Sequence, residues 1–222
     1  MMKKHTTGAA VFAALFLILL ILVRTADVAA VGPAGTSVGL SHVNLAFHEW
    51  SGVRMALYDV TQYLGYLAIL VAVAFACVGL IQFIRRKSLK KVDREILALG
   101  VLYVVLACCY IFFEKVVVNY RPLIMPGEIA PEASFPSSHT MLACVIFESA
   151  ALLVRRYVKG KTAQTVLGLL CFALSFVTVL LRLLSGVHWL TDVVAGIFLS
   201  AALLELYAAA IGRTETERQK AA

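Results

Sequence analysis

The stretch "YDVTQYLGYLAILVAVAFACVGLIQFI", Tyr58–Ile84, holds no charged residue between Asp59 and Arg85. A helix of that length, rising about 1.5 Å per residue, covers the ~30 Å hydrocarbon core of a bilayer. Five further apolar segments share its character: about Gly8–Val23, Ile96–Phe113, Met141–Val154, Thr165–Leu184 and Val193–Ile211. Met141–Val154 is short and needs its polar flanks to complete a crossing. The chain as a whole agrees, being 61% hydrophobic and 15% charged, with a mean hydropathy of +0.89. That lies beyond the composition of soluble domains. The expectation is an all-α, polytopic membrane bundle of six transmembrane helices. No internal repeat and no Gly/Ser- or Pro-rich linker divides it. Residues 1–222 therefore read as one domain, closed by a short charged tail, 213–222.

The net charge of +7 does not call for nucleic acid, because basic residues that border spans set orientation. Lys3 and Lys4 precede the first span. Arg85, Arg86, Lys87, Lys90, Lys91 and Arg94 follow the second. Arg155, Arg156, Lys159 and Lys161 follow the fourth, and Arg213, Arg218 and Lys220 follow the sixth. Six crossings put these on one side, which the positive-inside rule makes cytoplasmic together with both termini. Lys3, Lys4 and the small residues of Ala26–Gly32 also fit a signal peptide; the length of the apolar run favours an uncleaved span. Asn44–Val53 suits an interfacial helix with Trp50 at headgroup depth. The five cysteines fall in apolar runs without metal-ligand or disulfide spacing. Lys115, Arg121 and Arg182 break the orientation bias on the outer side and so need another purpose.

Three pieces gather at the outer ends of the last four spans: "EKVVVNYRP" (Glu114–Pro122), "PSSH" (Pro136–His139) and "RLLSGVHWLTD" (Arg182–Asp192). On a helix, His188 and Asp192 share a face, so the carboxylate can hold Nδ1 and leave Nε2 free as nucleophile or base. Ser137 before an apolar run is an N-cap signal, and a helix N-terminus suits an anion. Arg121 and Arg182 supply guanidinium forks that match phosphate oxygens. Each piece alone has an ordinary reading: a capped helix, an interfacial histidine, a headgroup-binding arginine.

Taken together, the pieces resemble the signature of the type-2 phosphatidic acid phosphatase family, the membrane lipid phosphate phosphatases. That signature reads Lys, six residues, Arg-Pro; then Pro-Ser-Gly-His; then Ser-Arg, five residues, His, three residues, Asp. Arg121-Pro122, Pro136-Ser137-x-His139 and Arg182-x5-His188-x3-Asp192 match in order and spacing. Three positions depart: Glu114 stands where the family has lysine, with Lys115 one residue late; Ser138 replaces glycine; Leu181 replaces serine. The resemblance implies that His188 attacks phosphorus, Asp192 orients its ring, and His139 protonates the leaving oxygen and then activates water. It implies that Arg121, Arg182, Ser137 and the backbone at Ser138 and His139 hold the phosphate, with Lys115 assisting, and that no metal or other cofactor is required.

A site at headgroup level suits an amphiphilic phosphate such as undecaprenyl diphosphate, phosphatidylglycerophosphate or phosphatidic acid, reached from a bacterial plasma membrane. A phosphotransferase with an acceptor other than water fits the same residues. A non-catalytic anion transporter or lipid-phosphate-binding protein is the alternative from another class. Glu148, inside a span, counts for it. The two histidines count for the enzyme.

Overall fold

A computed structural model describes the backbone of residues 2–221 and the side chains of residues 3–212. Seven helices follow in chain order: α1 Met2–Thr25, α2 Ser41–Ser51, α3 Met55–Arg86, α4 Arg94–Lys115, α5 Ser138–Tyr157, α6 Lys161–Leu184 and α7 Leu190–Ala221. All but α2 are long and apolar enough to cross a membrane, and the protein is an integral membrane protein. The spans outrun the apolar segments because polar and charged flanks continue the hydrogen-bonded turns. α5 begins at Ser138 rather than Met141, and α7 runs helically to Ala221 through the stretch read as a tail. The tail's side chains lie outside the described residues.

α5 is the axis of the bundle. Its buried face, including Met141, Val145, Phe147 and Leu153, meets Leu99 and Leu102 of α4 and Leu203 and Tyr207 of α7. α1 lies along α7, with Phe16 and Val23 packed towards Phe135 and Ala195. His5 of α1 and Glu205 of α7 close this pair at the end that also carries Lys3 and Lys4, 2.7 Å apart. At the same end Arg156 pairs with the buried Glu95, 3.1 Å away, and Arg86 with Asp93 at 2.7 Å. The basic connections thus share one end of the bundle.

The opposite end is knitted by α2, the helix expected at 44–53. Trp50 is largely exposed, as an interfacial residue would be, but Asn44 is fully buried. Its Nδ2 donates to Gly39 O and Thr191 Oγ1, and its Oδ1 accepts from Thr191 N–H at 3.1 Å. α2 therefore caps the start of α7 as well as lying on the bundle. The turn between α6 and α7 depends on Gly186, whose φ of +71° is left-handed. A Cβ there would run into the backbone of Gly52 in the α2–α3 turn, and Arg54 N–H donates to Ser185 O next to it, at 2.9 Å. Two turns approach so closely that only glycine fits.

Candidate active site

α4 ends at Lys115, and the chain reaches α5 through a loop rather than a further turn of helix. A short antiparallel pairing, Tyr120 opposite Ala133, stiffens that loop. Arg121 N–H donates to Glu132 O and Ser134 N–H to Asn119 O, both at 2.9 Å. Trp189 Nε1 donates to Tyr120 O at 2.7 Å, which ties the loop to the α6–α7 turn. This fixes Arg121 over the start of α5 and α7.

A cavity of about 200 Å³ lies there, lined among others by Glu114, Arg121, Glu132, Ser138, His139 and His188. Arg121, Ser138, His139 and His188 thus meet as the sequence suggested. Ser137, Arg182 and Asp192 stand behind the lining and are fully buried. Lys115 is exposed and is not among the lining residues. Neighbours on a helix point about 100° apart, so α4 presents Glu114 to the cavity and turns Lys115 away.

His188 and Asp192 do not share a helix face as expected, because α7 begins only at Leu190. Trp189 is the N-cap, and Asp192, in the first turn, accepts its backbone N–H on Oδ2 at 3.0 Å, the reach-back half of a capping box. The same Oδ2 lies 3.5 Å from His188 Nδ1. Asn119 Nδ2 approaches Oδ1, also at 3.5 Å. This is a loose but oriented contact of the kind that tightens when substrate binds. On the other edge of the ring, Arg121 Nη1 is 3.4 Å from Nε2. A guanidinium only donates, so Nε2 presents its lone pair. Complete burial, and then the charges of Arg121, Arg182 and His139, hold the His188 imidazole well below the usual histidine range. His188 is therefore neutral at ordinary pH, with Nε2 unprotonated.

His139 is held differently. Arg182 Nη2 donates to its Nδ1, which in a neutral ring leaves the proton on Nε2. Arg182 itself donates from Nη1 to Thr61 Oγ1 at 2.9 Å and lies 4.9 Å over the Tyr58 ring. Its Nε has no hydrogen-bond partner. None of the ion pairs among the described residues neutralises this buried cation, and a buried charge of one sign demands a counter-charge.

The two helix N-termini at the site also differ. At α7, Asn44 accepts from Thr191 N–H and Asp192 from Trp189 N–H. At α5, Ser137 occupies the N-cap but makes no capping bond; its Oγ accepts from Thr140 Oγ1 at 3.1 Å. The first-turn donors of α5 are left uncapped beside the cavity, which is where an anion is favoured.

Sequence reasoning missed Glu132, Asn119, Thr61 and Tyr58. Glu132 pairs with Arg121 Nε at 2.9 Å; no local pattern links the two, and the loop pairing that joins them is a tertiary feature. Asn119 was inside a quoted motif, and a polar amide after three valines, two residues before Arg121, was the available signal.

Residues 115–214 match the family model of the PAP2 superfamily. Among solved structures, the chain is similar to a transmembrane PAP2-type phosphatidylglycerolphosphate phosphatase from Bacillus subtilis, with a TM-score of 0.68 and 19% sequence identity. The alignment covers 94% of this chain and 96% of that one, and at such identity it shows a common fold. No curated protein matches the chain by sequence.

Proposed function

We propose that this chain, whose residues 115–214 match the PAP2 superfamily model, is a membrane lipid phosphatase of that superfamily working through a phosphohistidine. The observation that carries the reading is the cluster of two imidazoles and two guanidiniums at the cavity, in which His188 and Arg182 are buried and no carboxylate balances Arg182. A buried guanidinium without a counter-charge favours an anion bound close by.

In the first step the Nε2 lone pair of His188 forms a bond to phosphorus as the bond to the leaving oxygen breaks. With the anionic headgroup bound, His139 takes up a second proton, and as imidazolium it gives the leaving oxygen its Nε2 proton and returns to the neutral ring. Arg121 and the first N–H groups of α5 stabilise the equatorial oxygens, and Arg182 adds charge from behind His139. Asp192 balances the positive charge that forms on His188. In the second step His139 takes a proton from water, the water oxygen attacks phosphorus, and the phosphorus–nitrogen bond breaks. Phosphate leaves, and both histidines return to their starting state. No metal enters this scheme.

Purified protein in detergent is expected to release phosphate from lipid phosphates in the presence of EDTA. His188→Ala is expected to abolish release, and acid-labile phosphate is expected on the wild-type chain alone. Wild-type rates in His188→Ala would refute the covalent route. A phosphotransferase would instead require an added acceptor for turnover.

The basic connections at the far end support a cytoplasmic location for that end and an outer location for the cavity. Ile129, almost fully exposed in the loop before α5, is the position for a reporter cysteine in a background without the five native ones. In intact cells an impermeant thiol reagent is expected to label position 129 and to spare a cysteine at Lys159. The reverse pattern would make the substrate an inner-leaflet lipid.

A further inference from the structure

The two guanidiniums at the cavity differ in counter-charge. None of the ion pairs among the described residues includes Arg182, whereas Arg121 has Glu132, with Nε 2.9 Å from Oε2. Glu132 lines the cavity together with His139 and His188. Carboxylates and phosphates both present oxygens to an arginine fork. Glu132 and a phosphate therefore compete for the same guanidinium.

The backbone keeps this competitor within reach. Arg121 N–H donates to Glu132 O at 2.9 Å, and Tyr120 pairs with Ala133 beside it. Arg121 and Glu132 are thus opposed residues of a short antiparallel pairing, whose side chains share a face. Neither backbone contact involves the carboxylate, so it can turn away while the loop keeps its shape.

The side-chain contact itself is loose. The Nε–H and the carboxylate are not aligned for a hydrogen bond. The Glu132 side chain is 38% exposed, against 12% for Arg121, and an ion pair that water reaches is weak. Arg121 Nη1 adds only long contacts, 3.4 Å to Val187 O and 3.4 Å to His188 Nε2. Asp192 has no such freedom, being fully buried and bound to Trp189 N–H at 3.0 Å.

Inorganic phosphate, the product, is an anion like the headgroup it comes from. A site that attracts the one also retains the other. Resting on the lipid-phosphatase reading, we propose that Glu132 is a release residue: its carboxylate yields Arg121 to the incoming headgroup phosphate and reclaims it as inorganic phosphate leaves. Arg182, without a counter-charge, draws the anion in. Arg121, which carries its own, lets it go. Glu132 makes no bond to phosphate and acts through Arg121, so it is a positioning residue.

The test uses inorganic phosphate as the probe. Purified wild type is compared in detergent with Glu132→Gln and Glu132→Ala, which remove the charge, and Glu132→Asp, which keeps it. Glu128→Gln, at an exposed position of the same loop, is the control for charge alone. Phosphate affinity is read twice, as product inhibition of lipid phosphate hydrolysis and as the rise in Tm on adding phosphate. Glu132→Gln and Glu132→Ala are expected to bind phosphate about fivefold more tightly than wild type, the scale of a partly exposed ion pair. KM for the lipid phosphate is expected to fall with it. Glu132→Asp and Glu128→Gln are expected to bind phosphate as wild type does. A residue that only braced the loop would weaken binding when replaced. Unchanged or weaker phosphate binding in both charge-removing variants, or equal tightening in Glu128→Gln, would overturn the release role. A wild type that hydrolyses no lipid phosphate would overturn the phosphatase reading, and the Tm series would still decide whether Glu132 competes with phosphate.

Discussion

α3 and α5 are both transmembrane, and they invert the usual relation between hydrophobicity and burial. The most apolar window of α3 has a mean hydropathy of 2.7 and only 6% of it is buried; that of α5 has 1.3, and 56% is buried. In water the more apolar helix would be the inner one. In a bilayer the solvent is hydrocarbon, so the outer helix must be uniformly apolar, and the centre is free to hold small and polar side chains that find partners within the protein. Ser137, Thr140 and Ser149 are fully buried on or next to α5. Tyr103 and Ser149 share a hydrogen bond of 3.1 Å. The less hydrophobic helix is the one that can carry a histidine into the cavity wall.

Substitutions that would break this contrast differ in size. His139→Ala on α5 is expected to leave at most a trace of phosphatase activity, a loss of about 10²–10⁴-fold for an acid–base group. Ala74→Leu on the outer face of α3 is expected to change nothing measurable. Arg121→Ala is expected to cost about 10²-fold in kcat/KM, and Lys115→Ala far less, because α4 points Lys115 away from the cavity. An equal loss for the lysine would mean that substrate draws it in.

Ala143, 1% exposed on α5, tests packing rather than chemistry. Ala143→Leu is expected to destabilise by about 1–3 kcal/mol through overpacking, measured as a fall in detergent Tm; an unchanged Tm would show that α5 is less tightly held than its burial implies. The smallest of the measurable effects is one of pH. The folded protein keeps His188 neutral where the unfolded chain takes up a proton, so acid below about pH 6.5 favours unfolding, and above it this contribution is constant. Wild type is therefore expected to lose more Tm between pH 7.5 and 5.5 than His188→Gln. Equal losses would place the acid sensitivity elsewhere.

The spans were legible because each is a local property: twenty or so residues facing lipid must be apolar whatever their neighbours do. Spacing was legible for the same reason. His188 and Asp192 sit four apart and Arg121 precedes proline in any fold. What the sequence could not convey was direction. It named Lys115 as an anion ligand, yet the end of α4 turns Glu114 into the cavity. It placed His188 on a helix, yet Gly186 and the α2–α3 turn hold it just before one. It gave Ser137 a capping role, yet its hydroxyl turns to Thr140 and leaves the donors of α5 uncapped.

The sequence by itself determined six apolar helices, the side on which the basic residues gather, and the chemical kinds of group available for a phosphate. Only the tertiary structure decided which of those groups meet. The Arg182–His139 bond joins residues 43 apart in the chain, and the pairing of Arg121 with Glu132 depends on the loop before α5 folding back on itself. Their geometry comes from packing against α5, which no local pattern encodes.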